Sequence, residues 1–504
     1  MKKFINIKLF FVVLIALGVV SSCDDGFDEL NLDPDAVTSV TPGQLLSKAL
    51  ISSSRVDMEP RTNYFHAFMQ YGFSGFWSGT NYNISDGIVS RYFNGMYTSP
   101  IKNIVFLIEE FKEDTVAVNT VAAARIWKAF LFQKVTDVYG DIPYFESGRS
   151  LETRDFTPTY DSQEAIYADL IKELREAKAA FNPDKDGVRG DQFYSGDIEK
   201  WQKLANSLLL RIGMRILKVD ATQAQSLINE ALSGVGVMAN NDDMPILRHT
   251  DNEPNAFEFT LGDQHFFVHK TLVNHMKVKG DPRLNIYAAV HNEARGQVIS
   301  TDTTEYIGWS FDVDDPDETA RVTFSIYRNQ ETPFFHFNYA QVEFLLAEAA
   351  VRGLIGDDPA AHYEAGIRAH MESLSRLPTS PTVTAQEISD YLMANPLDDP
   401  GDPSDDTEEA QINKIATEFW VSAFLFDADE AWNNWKRTGF PDLTPNPNTL
   451  DQAVNSDSPG RIPRKLPYPQ AEFVSNADNV RAVLPNYGNA NDFNTAARVW
   501  WDVD

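Results

Sequence analysis

Two aromatic stretches of this chain carry side chains suited to holding a hydroxyl-rich ring. The first is Gly72-Phe73-Ser74-Gly75-Phe76-Trp77-Ser78-Gly79-Thr80-Asn81-Tyr82-Asn83, too rich in Gly, Ser and Asn to be a regular helix. The second is Tyr306-Ile307-Gly308-Trp309-Ser310-Phe311. An aromatic face can stack on the C–H side of a pyranose or furanose, while neighbouring amides satisfy hydroxyls that are costly to desolvate alone. Trp77, Asn81, Tyr82, Asn83, Tyr306 and Trp309 are therefore the candidate ligand-binding residues. The competing role for each aromatic is to pin its loop to the core. Just upstream, Phe65, Phe68 and Tyr71 have helical spacing and read as core.

Other constellations offer less chemistry. Asn182-Pro183-Asp184-Lys185-Asp186-Gly187 copies the first half of a calcium loop, but its twelfth position is Phe193 where a bidentate Glu would close the site. It reads as a solvated turn. Asp312, Asp314, Asp315, Asp317 and Glu318 crowd one loop, a run more often solvated than metal-bound. No cofactor is expected, and a structural calcium is the one exception these loops leave open. His265 and His269 stand four apart without the Glu that a zinc-hydrolase helix places after its first His. Gly234-Val235-Gly236-Val237-Met238-Ala239 fits a dinucleotide fingerprint by letter, yet it follows a helical pattern, so Gly234 reads as a helix cap. There is no GxSxG, no P-loop and no Cys nucleophile.

The elements that must position these residues are mostly helical. Asp161-Ser162-Gln163-Glu164 opens a helix whose Ile166, Leu170, Ile171, Leu174, Ala177 and Phe181 recur at three- and four-residue spacing. A second runs from Trp201 to Leu217, and a third from Tyr339 toward Gly353. A fourth opens at Ile412 and continues toward Trp432 and Trp435; residues 116–139 and 357–376 are helical as well. Pairs such as 338–353 and 357–376, with Ala and Gly at contact positions, predict stacked helix–turn–helix units. Trp127, Trp201, Trp420, Trp432 and Trp435 fall in helical patterns and read as core. Residues 236–337 break the pattern with loops and short strand-like runs at Phe257–Leu261 and Arg321–Tyr327. Residues 395–407 and 440–472 read as long surface loops.

Charge and the lone cysteine set the context. The 504 residues hold 43 Lys+Arg against 73 Asp+Glu, with 43% hydrophobic and 12% aromatic residues. Such a chain folds, and so acidic a surface repels nucleic-acid backbones. Lys2, Lys3 and Lys8 precede an apolar run from Leu9 to Val20, too short to span a bilayer but suited to a signal peptide. Val20-Ser21-Ser22-Cys23 then resembles the lipobox of bacterial lipoproteins, which implies acylation at Cys23. Loss of residues 1–22 would leave a net charge of −33. Residues 23–40 read as an extended, lipidated tether and 41–504 as one domain, with a helical scaffold mainly over 41–235 and 338–440, a loop-rich part over 236–337 and long C-terminal loops over 441–504.

Ordered motifs cover nearly all of that domain. They are Lys128-Ala129-Phe130 through Val135-Thr136-Asp137-Val138-Tyr139-Gly140-Asp141-Ile142-Pro143-Tyr144, Gly196-Asp197 with Trp201 through Leu208, and Gly280-Asp281-Pro282-Arg283-Leu284. Tyr339, Glu343 and Ala347 through Ala350 follow, then Glu430-Ala431-Trp432 with Arg437 through Pro441, Arg461 through Arg464, and Val499-Trp500-Trp501-Asp502. The set resembles the SusD-like (SusD/RagB) outer-membrane lipoproteins of Bacteroidetes. The resemblance implies a mainly α fold of tetratricopeptide-like helix pairs in a superhelical scaffold, with an irregular ligand-binding face. It also implies a lipid anchor in the outer membrane, facing the cell exterior, and a SusC-like TonB-dependent transporter barrel as partner. The expected function is non-catalytic capture of oligosaccharide for that transporter. Two alternatives stay open: a peptide-binding member of the same family, and a glycan hydrolase using two carboxylates.

Overall fold

The computed structural model describes residues 40–504 except 57–59, 75–81, 83, 150–153, 155, 258–265, 292–297, 311–319, 399–402, 447–460 and 489–494. Cys23 and the tether lie outside the described residues. The chain divides into Met1–Thr41 and Pro42–Asp504, and every element below belongs to the second unit.

Helix pairs form the frame. Val118–Tyr139 packs on Gln163–Ala180, Ile198–Ile216 on Ala221–Ala231, and Tyr339–Val351 on Pro359–Ser373. Their starts follow from the sequence. Ser162 Oγ accepts from the Ala165 amide, Asp197 from Lys200 and Asp358 from Ala360, each satisfying a donor that the first helical turn leaves open. Small residues bring the axes close: a Cβ on Gly366 would sit 2.6 Å from the Phe344 ring. Among the described residues no helix is long and apolar enough to cross a membrane.

Two expectations about the scaffold need correction. The fourth predicted helix is two, Glu408–Ser422 and Ala428–Thr438. Between them Phe424, Leu425 and Phe426 are buried and Leu425 adopts φ 65°, so packing of this apolar run turns the chain back on itself. Nor is 440–472 a surface loop throughout. Ile462, Leu466 and Tyr468 are buried, the Leu466 amide donates to Val138 O, and Pro463 O accepts from the Trp432 indole.

The family-like motifs form buried polar latches between helices. Arg283, fully buried, donates to Asp281 at 2.6 Å and to Glu418 at 2.8 Å, and the Tyr391 hydroxyl also donates to Glu418. Arg437 pairs bidentately with Glu348, and Asp137 accepts from Tyr167 and from the Trp501 indole. Trp127, Trp201, Trp420 and Trp432 lie in the core, and Trp435 packs against it partly buried.

The irregular section builds two sheets. One has the strand order β1-β3-β6-β4-β5, from β1 (Gly72–Ser74), β3 (Phe266–Val268), β4 (Ala288–His291), β5 (Val298–Ser300) and β6 (Arg321–Val322). The other pairs β2 (Ile246–Leu247) with β7 (Phe334–Phe335). Pairing in the first is antiparallel, with Gly72 opposite Val268 and Phe267 opposite Arg321. The predicted run Arg321–Tyr327 is a strand only at its first two residues; beyond Thr323, whose carbonyl accepts from Ile326 and Tyr327, it is a short helix. The Phe257–Leu261 run lies mostly outside the described residues.

Candidate functional site

Residues 61–71 carry the chain from the helical core to the sheet. Phe65 stacks on Trp432 at 5.3 Å and Tyr71 on Trp420 at 5.2 Å. The Tyr71 hydroxyl donates to Trp420 O, and the Trp420 indole donates back to Met69 O. The ring spacing that marks this stretch as core is thus anchored twice to the Glu408–Ser422 helix.

The two aromatic stretches, more than two hundred residues apart in sequence, meet on opposite sides of β3. On one side β1 pairs with it, and the His269 amide donates to Tyr71 O. On the other, the Trp309 amide donates to Val268 O and the Lys270 amide to Trp309 O, both at 2.8 Å, while the Ala320 amide donates to Ile307 O. Each approach runs through a glycine with no room for a side chain. A Cβ on Gly72 would lie 2.4 Å from Phe267 O, and one on Gly308 2.3 Å from Lys270 Cα. Gly72–Ser74 and Ile307–Trp309 are therefore docked on β3 as backbone ribbons.

The individual candidates separate on this framework. Trp77, Asn81 and Asn83 lie outside the described residues. Trp309 is half-buried, its ring edge-on to His269 at 6.0 Å. Tyr82 and Tyr306 are corrected from ligand contacts to loop anchors, at 2% and 1% exposure. The Tyr82 hydroxyl accepts from the Asn446 amide and its ring packs edge-on against Phe68. The Tyr306 hydroxyl donates to Asn285 Oδ1, and burial raises its pKa to about 12, so it stays a neutral donor. An aromatic in a Gly/Asn-rich loop can turn toward solvent or core, and the apolar neighbours that decide this are distant in sequence.

Several residues at the site carried no signal read in the sequence. Gln70, buried and at φ 52°, donates to Thr444 O and accepts from Thr271 Oγ1 at 2.6 Å, tying the first stretch to the helix that follows β3. His269 caps that helix, Lys270–Lys279, accepting from the Thr271 amide. Gly308 stands inside a stretch singled out for its aromatics, and its lack of a side chain was the available clue.

In the 182–187 turn, Asn182 Oδ1 accepts from the Asp184 amide, Asp186 pairs with Arg189, and the carbonyls of Asn182 and Asp186 accept from Asn119. This is a self-satisfied turn. Residues 312–318 and His265 lie outside the described residues, among which no group of three or more His, Cys, Asp or Glu could hold a metal ion. Gly234 follows the Ala221–Ala231 helix at φ 66°, so the letter match to a dinucleotide fingerprint is a helix end.

The chain thus carries a small sheet, with two aromatic-rich segments docked on one strand, on a frame of paired helices. Residues 34–469 match a family described as starch-binding and associating with the outer membrane, and the chain belongs to this SusD-like family. A solved structure described as a chitin-binding protein superposes with a TM-score of 0.79 at 28% identity, covering 92% of this chain and 100% of its own. One described as Bacteroidetes AC2a SusD-like gives 0.78 at 25% identity, with the same coverage. A chitin-binding SusD homologue from Flavobacterium johnsoniae, at 23% identity and a TM-score of 0.73, covers 92% of this chain and 99% of its own and shares the fold. No curated protein matches the chain.

Proposed function

We propose that this chain is a surface-anchored, non-catalytic oligosaccharide-binding lipoprotein that captures glycan and passes it to a TonB-dependent outer-membrane transporter. The observation supporting the reading is the docking of residues 72–74 and 307–309 on the two sides of β3, on a scaffold of this family. In this reading Trp309, with Trp77 from the other loop, offers a ring face to the sugar, and the amides of Asn81 and Asn83 meet its hydroxyls. Acylation at Cys23 holds the protein to the membrane without basic residues. The chitin-binding description of one relative and the starch-binding description of the family favour a glycan over a peptide.

Native gels cast with starch or soluble chitin derivatives test the reading directly. Retention is expected for the purified chain, reduced for Trp309→Ala at unchanged melting temperature, with no sugar released. Sugar release abolished by one carboxylate-to-amide change would refute the binding-only reading. Cys23→Ser is expected to leave the protein unacylated in cells, as read by mass spectrometry; an acylated variant would refute the anchor.

A further inference from the structure

We infer that the ligand is an extended linear chain, whose units beyond the aromatic loops lie in a polar groove along the Lys270–Lys279 helix. This rests on the glycan-binding reading and adds to it a length requirement and a set of binding residues along one helix.

Two clefts flank the helix. The larger, about 500 Å³, is lined by Thr271, His275, Lys279, Asn413, Thr417 and Trp420. The second, about 390 Å³, is lined by Lys277, Lys279, Asn285, Thr303 and Asp390 among others. They share Lys279 and Ala394, so they adjoin as one groove. Thr271, His275 and Lys279 are four apart and form a stripe on one helix face. Ten residues at helical rise make that wall about 15 Å long, the reach of a short oligomer and not of one ring.

The groove is joined to the aromatic loops at both ends. At its start, Thr271 bonds to Gln70 and His269, which flank β1 and Trp309. At its far end, Lys277 Nζ donates to Thr304 O and Tyr306 O, and Asn285 receives the Tyr306 hydroxyl. A ligand stacked on Trp309 therefore has a wall to follow.

The wall also holds polar atoms without protein partners. His275 Nε2 is buried with no hydrogen bond, and burial pushes this imidazole toward its neutral form. Asn413 accepts from Thr417 through Oδ1, whereas no partner among the described residues takes its amide N–H groups or the Lys279 ammonium. Among the acids lining the clefts, Glu418 is committed to Arg283 and Tyr391, Asp390 to Gln386 and Glu387 to the Thr384 cap. Unpaired polar groups on residues that line a cleft suit hydroxyl and ring oxygens repeated along a chain, since a polar atom that gains a partner avoids the cost of being desolvated alone. An apolar occupant would leave them unmet.

The test is a length series, using N-acetylglucosamine oligomers and malto-oligosaccharides from dimer to hexamer, titrated calorimetrically into the purified chain. Affinity is expected to climb with length for at least one series. In Asn413→Ala the longest oligomer should lose about 5-fold, the worth of roughly one hydrogen bond, while the dimer binds as in the parent. Melting temperatures identify any variant that fails to fold, and Lys279→Gln, on the exposed rim, then replaces it. Equal affinity at every length, or equal losses for dimer and hexamer, would overturn the groove while leaving glycan binding intact. No binding of any glycan would overturn the underlying function as well. Length-dependent binding of oligoalanine peptides in place of both sugars would overturn the proposal in favour of a peptide chain.

Discussion

Replacing Gly308 with Ala should weaken binding at the proposed site without touching any group proposed to meet the ligand. The new Cβ would stand 2.3 Å from Lys270 Cα, 2.7 Å from Lys270 N and 3.0 Å from His269 C, all backbone atoms that cannot swing aside. The 306–310 ribbon must move off β3 by about an ångström to restore ordinary van der Waals contact. That shift breaks the two 2.8 Å bonds between Trp309 and the Val268–Lys270 backbone. At about 1 kcal/mol each, the local cost is roughly 2 kcal/mol, spent at one sheet edge and not in the helical core. The melting temperature should therefore fall only slightly. Trp309 leaves its place, and losing one well-placed aromatic contact, about 1.4 kcal/mol, weakens binding about 10-fold. Calorimetric titration with the tightest oligosaccharide reads the affinity, and hydrogen exchange at the Lys270 and Trp309 amides reads the undocking. Unchanged affinity with unaccelerated exchange at both amides would refute the docking argument.

Two further predictions concern the scaffold. Burial alone would raise the Glu348 pKa, yet Arg437 and Arg352 overcome it and hold the carboxyl at about 2, below its ordinary 4.5. Stability from this group is complete above pH 4.5 and lost as pH falls through 2, roughly 3 kcal/mol in all; a Glu348→Gln variant whose melting temperature falls as steeply as the parent's over that range would contradict it. Arg283→Met should cost about 3–5 kcal/mol by leaving Asp281 and Glu418 buried without their cation, and a denaturant midpoint equal to the parent's would remove Arg283 from the account of the core.

The scaffold was legible because its signals are local. Ser162, Asp197 and Asp358 stand where helix starts need a side-chain acceptor, and three- and four-residue spacing marks the buried faces. The 423–427 break was hidden, since Phe424-Leu425-Phe426 continues an apolar pattern and only its packing shows a turn. The two aromatic stretches were legible in composition but not in orientation. Trp309 and Tyr306 are three residues apart in one short stretch, yet one is half-exposed and the other faces the core. β3 itself is three residues long, too short for a period to register, and the partners on its two flanks are far away along the chain.

The paired glycines beside β3 have a bearing on how such proteins diversify. Because Gly72 and Gly308 meet β3 and the residues after it through main-chain atoms, that part of the grip is indifferent to the residues that follow. The segments between Ser74 and the Tyr82 anchor and beyond Ser310 can then be exchanged as cassettes, provided Tyr82 keeps its seat on Phe68. Grafting both segments from a relative with another ligand, with the two glycines kept, becomes a direct route to re-addressing the receptor.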